Sequence, residues 1–182
     1  MDHRPQQRFV GAPGDGDRQR RAETDALLAK LPNDPYFLEL KGQILLESGR
    51  PKEALAPLRR ATELTGNQPL IAAIFGHALI ATEDKTKLDE AAQVLKAAVT
   101  KDNQNPFAWY QLGVVYEQKG DSARAALASA ERYLMEGAPQ LALPNAQTAM
   151  AGLPEYSPDW IRAQDINMVA EAKLAQLKKR RR

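Results

Sequence analysis

Cysteine is absent from the 182 residues, and histidine occurs only twice, as His3 and His77. The first absence removes disulfides, thiolate nucleophiles and cysteine-ligated zinc or iron–sulfur centres, without identifying the redox compartment. The second leaves no His-Glu-x-x-His pair for a catalytic zinc, and no His/carboxylate set stands at ligand spacing. Aromatic residues make up 6% of the chain. Valine and isoleucine together number 12, against 30 alanines and 22 leucines, a balance that favours helices over sheets. No stretch approaches the ~18 consecutive apolar residues of a membrane helix, so no transmembrane segment is expected.

What remains of catalytic chemistry is thin. Gly14-Asp15-Gly16 has the start of a dinucleotide loop, but no strand precedes it and Gln19 occupies the third glycine's place. Neither a phosphate loop nor a Gly-x-Ser-x-Gly elbow occurs. The expectation is a chain that is not an enzyme, with no cofactor and no metal. The net charge of +2 is carried by the last five residues, Lys178 to Arg182, so residues 1–177 sum to 2 − 5 = −3. A mildly acidic body gives no reason to expect nucleic acid as a partner. The basic tail reads either as a solvated helix end suited to the helix dipole or as an electrostatic contact with anionic lipid or nucleic acid.

What the chain has is a period. Asn33-Asp34-Pro35, Asn67-Gln68-Pro69 and Asn105-Pro106 each precede an apolar stretch, with prolines 69 − 35 = 34 and 106 − 69 = 37 residues apart. Polar residues before a proline make good helix starts, because the side chain accepts orphan N–H groups and proline lacks one. Gly42, Gly76 and Gly113 repeat at the same two intervals, where a small residue admits the second helix of each unit. Ala54 and Ala125 follow Gly42 and Gly113 by twelve residues, while Ala91 follows Gly76 by fifteen. The three extra residues fall in the polar stretch Thr82–Lys87, which accounts for the 37.

The string from Ala108 to Asp121, with Trp109, Leu112, Gly113, Tyr116 and Gly120, resembles the tetratricopeptide-repeat motif almost residue for residue. The expected fold is therefore all-α, an α-solenoid of helix–turn–helix repeats, and the resemblance implies a right-handed superhelix. The boundaries read as an arm at 1–16, a half-repeat at 17–32, and repeats at 35–66, 69–103 and 106–136. An overlapping repeat at 123–154, a capping helix at 157–177 and the tail at 178–182 follow, with the helix Ser122–Met135 shared between two repeats. Trp109 and Trp160 are expected to pack between helices.

In such arrays the first helices of successive repeats line a groove that holds a peptide. The resemblance places there Tyr36, Glu39, Gln43 and Glu47 of the first repeat. Leu70, Ala73, His77 and Ile80 follow in the second, and Phe107, Tyr110, Val114 and Glu117 in the third. The Lys, Arg and Asn residues with which some members hold acidic chaperone tails are missing. The set fits a protein or peptide ligand with apolar or aromatic anchors and a basic residue near Glu39 or Glu117, unless Phe107, Tyr110 and Leu70 only complete packing between repeats. His77 reads either as a partner for Glu39 or Glu47, as a pH sensor, or as a polar groove residue without a special role.

A narrower similarity lies in Asn33–Gln43, Glu47–Pro51, Pro57–Ala61, Asn67–Ile71 and Ser157–Ile166. These strings are similar to the C-terminal repeat domain of bacterial periplasmic zinc metalloproteases that assist outer-membrane β-barrel assembly. The similarity implies a periplasmic location, with outer-membrane proteins or the barrel-assembly machinery as partners and the protease domain outside this chain. The N-terminus shows no signal peptide, which instead suits a free-standing cytoplasmic scaffold.

Overall fold

The structure, a computed structural model, describes residues 15–180. All described secondary structure is helical: α1 (Asp15–Lys30), α2 (Pro35–Glu47), α3 (Pro51–Leu64), α4 (Pro69–Ala81), α5 (Leu88–Lys101), α6 (Pro106–Gln118), α7 (Ser122–Met135), α8 (Pro139–Gly152) and α9 (Pro158–Arg180), with a short 3₁₀ turn at Lys85–Lys87. Within each part of the chain the helices pack in sequential pairs, α2 with α3, α4 with α5, α6 with α7 and α8 with α9, in the manner of tetratricopeptide repeats. Helix α1 includes Asp15 and Gly16, which the sequence assigns to the arm; the rest of the arm, with His3, lies outside the described residues, as do Arg181 and Arg182.

Local chemistry accounts for the helix starts. Asp34 Oδ1 accepts from the Tyr36 and Phe37 N–H groups at 3.0 and 3.1 Å, and Asn105 Oδ1 accepts from Ala108 N–H at 3.0 Å. At the equivalent place Gln68 serves, its Oε1 accepting from Ile71 N–H at 2.9 Å. Each cap is followed by proline at the first helical position. Helices α2 and α6 end on left-handed glycines, Gly49 (φ 69) and Gly120 (φ 75), whereas Glu83 (φ 58) takes that conformation after α4.

The chain divides into two compact units, residues 1–66 and 67–182. In the first, α2 packs between α1 and α3, and Ile44, Leu45, Ala54, Leu58 and Ala61 are buried. In the second, α4 to α6 bury large side chains: Ile71, Phe75, Leu79, Leu95, Leu112 and Val115. The core of α7 to α9 is different in kind. Ala126, Ala130, Ala142, Ala146, Ala149, Ala163 and Ala170 supply most of it, with Leu127, Leu153 and Ile166. Helix α7 is unbroken and packs on α6, α8 and α9, and Arg124 of α7 holds Asp159 of α9 at 2.8 Å.

Candidate functional site

In the first unit the four groove residues share one face of α2. Tyr36 is 65% exposed and free of cover. Glu39 is half-buried, its Oε1 accepting from the Gln43 amide at 2.9 Å. Burial raises the Glu39 carboxyl above the usual carboxylate range, and the Gln43 hydrogen bond opposes that shift only in part. Glu47 is exposed and accepts from Arg20 of α1 at 3.2 Å, so α1 already neutralises the end of this face.

In the second unit the residues separate into three groups. Leu70 is exposed at the start of α4, but Ala73 is 0% exposed. Ala73 and Tyr110 stand 110 − 73 = 37 residues apart, in the same register, yet only the longer side chain reaches solvent. Ala73 is thus withheld from a ligand because a methyl group does not project past its neighbours. His77 and Phe107 form an edge-to-face pair with ring centroids 5.9 Å apart, while Ile80 is half-buried on α4. The His77 Nδ1 atom is buried with no hydrogen-bond partner among the described residues, and Phe107 keeps 38% of its surface exposed.

The third group lies where α6, α7 and α8 meet. Tyr110, Val114 and Glu117 form one wall of a cleft of about 620 Å³. Arg132 of α7 and Asn145 and Thr148 of α8 also line it, with Gln118, Ser122 and Ser129 among others, none of them read from the sequence as site residues. Tyr110 is 50% exposed. The Arg132 guanidinium stacks over Tyr133 at 4.2 Å, lies 5.5 Å from the Tyr110 ring, and pairs with Glu136 at 3.1 Å. The missed signal is Pro139, 139 − 106 = 33 residues after Pro106, which marks α8 as another proline-started helix of the series.

Trp109 and Trp160 both pack inward. Trp109 is buried, donates its indole N–H to the Asn103 carbonyl at 3.0 Å and carries the Arg162 guanidinium on its ring at 4.7 Å. Trp160 lies partly buried against the alanine core of α7 to α9. Lys178 and Lys179 extend α9 into solvent. Among the described residues no helix is long and apolar enough to cross a membrane.

Comparison with known proteins agrees with this architecture. Residues 20–69 match the family described as "Tetratricopeptide repeat", and residues 84–120 match that described as "TPR repeat". Two crystal structures of MamA superpose with TM-scores of 0.59 and 0.62 at 19% and 18% identity. The first comparison covers 92% of this chain and 99% of that one, the second 88% and 80%. TTC0263, a thermophilic TPR protein in Thermus thermophilus, superposes with a TM-score of 0.50 at 21% identity, covering 85% of this chain and 89% of its own. At these identities the likeness is one of fold. No curated protein sequence matches the chain.

Proposed function

From a chain carrying tetratricopeptide repeats, a protein–protein interaction module, we propose that the cleft between α6, α7 and α8 is where a partner segment docks. The observation that carries the reading is Tyr110, a half-exposed ring on an otherwise well-packed helix, with Val114 beside it and Phe107 one turn away. Exposed aromatic surface at the edge of a cleft is what an interface anchor needs. The polar lining then selects the partner's chemistry. Glu117 offers a carboxylate to a basic side chain, and the Asn145 and Gln118 amides can serve a peptide main chain.

The test is selection of peptides on the full chain, followed by Tyr110→Ala and Val114→Glu. Both are expected to weaken the selected peptides at least ~10-fold, as loss of an anchor does, while leaving thermal unfolding nearly unchanged. Equal affinity in wild type and both variants would move the docking surface elsewhere.

In its specific form, the partner-recognition part of a cell-envelope zinc metalloprotease, the reading is supported by the sequence strings around Asn33–Gln43 and Ser157–Ile166. On that reading the chain works in the periplasm, with misassembled outer-membrane proteins or the barrel-assembly machinery as partners. An upstream reading frame encoding His-Glu-x-x-His is its requirement; a frame without one would leave a free-standing scaffold.

A further inference from the structure

A second concavity of the 67–182 unit lies apart from the cleft and is built by different side chains of α5, α6, α7 and α9. It encloses about 360 Å³, at the small end of the range for ligand pockets. Val99, Leu112 and Leu127, all buried, form its interior, and the Trp109 ring forms a side. Thr100 and Asn103 add polar groups at its edge, so a body about one ring wide can meet apolar walls on one side and polar groups on the other.

The polar groups around it are unequal. Arg124 is engaged by Asp121 and Asp159, both at 2.8 Å, and Arg162 is engaged by Glu131 while lying on Trp109. Lys96 lines the same cavity but forms no ion pair among the described residues; its field only helps to hold down the Asp121 carboxyl. The Tyr116 hydroxyl likewise has no hydrogen-bond partner among the described residues. Burial pushes the Tyr116 phenol up to about 12, so it stays a donor at neutral pH. One unengaged ammonium and one unengaged hydroxyl suit one singly charged acceptor. A dianion would also have to face Asp159 on the same rim.

We propose that this cavity binds a small amphiphilic carboxylate, its apolar body between Val99, Leu112, Leu127 and Trp109 and its carboxylate held by Lys96 and Tyr116. The peptide cleft and this cavity share no lining residue, so the two proposals stand or fall separately.

The test titrates 3-phenylpropionate into the full chain and follows the Trp109 indole N–H, one of two such signals in the protein, by heteronuclear NMR. A saturable shift is expected, half-complete near or below about 1 mM for a ligand of this size. Replacing the carboxylate by its primary amide should weaken binding roughly tenfold, and so should Lys96→Met, which keeps the apolar stem at an exposed position. Tyr116→Phe should weaken it severalfold. The proposal is overturned if Trp109 does not respond, if acid and amide bind alike, if Lys96→Met changes nothing, or if the shifts fall on Tyr110 and Val114. A short peptide ending in phenylalanine that binds more tightly than the free acid would assign the site to chain ends and overturn it too.

Discussion

Gly42, Gly76 and Gly113 repeat in one register, yet they face different neighbours. A Cβ on Gly42 would overlap the Leu58 side chain, and one on Gly76 would come within 2.5 Å of Leu95 Cγ, both leucines being fully buried. A Cβ on Gly113 would meet Ala128 Cβ at an ordinary 3.5 Å. Gly76→Ala is therefore expected to cost about 1–3 kcal/mol through overpacking, and Gly113→Ala to gain up to about 1 kcal/mol through helix propensity. Chemical denaturation of the two variants checks this, and equal effects would contradict the assigned contacts. The interval of 34 and 37 residues was readable because spacing is local, whereas the identity of the facing side chain depends on a second helix. Ala73 illustrates the same limit, since register told which way it points and the packing around it decided that it is covered.

At the scale of helices, α9 is tied to α7 by charge. Asp121 caps α7, its Oδ1 accepting from Arg124 N–H at 3.0 Å, and its other oxygen holds the Arg124 guanidinium that also reaches Asp159. Burial alone would raise the Asp121 carboxyl, but the Arg124 N–H and guanidinium outweigh it and hold the group below its usual 3.8. A carboxyl lowered on folding stabilises the fold above its unfolded value and loses that contribution as pH falls through the folded one. Asp121→Asn keeps the cap and removes the charge. At pH 7 it is expected to cost roughly 0.5–1 kcal/mol, the screened worth of a partly exposed pair, and at pH 3 distinctly less. Thermal unfolding at the two pH values measures the difference, and a cost that does not shrink in acid would remove the charge from the explanation. The helix starts were legible because Asp34, Gln68 and Asn105 each stand directly before a proline. Arg132, Asn145 and Thr148 were not, because a cleft assembled from three helices leaves no mark in the spacing of any one.

For the molecule as a whole, the division at residues 66 and 67 sets an expectation for fragments. Among the described residues, 67–182 contain six α-helices, of which α4 to α6 bury many large side chains, while 1–66 contain three and fewer such residues. The longer fragment is expected to keep its helical signal and melt cooperatively, and the shorter to lose most of its helix, being at the size where one core is marginal. Circular dichroism on both decides, and a stably folded 1–66 would show that its three helices suffice. The alanine-rich contact of α7, α8 and α9 carries a consequence of its own. Methyl groups remove little apolar area from water, so this layer is held more weakly per residue than the Ile71, Phe75, Leu95 and Leu112 layer before it. Backbone amides of α8 and α9 should consequently trade their protons for deuterium ahead of those in α4 to α6. Since Asp159 and Arg162 ride on α9, the excursions that expose those amides would also unroof the small cavity, so a ligand seated there would act as a brake on this breathing of the C-terminal helices.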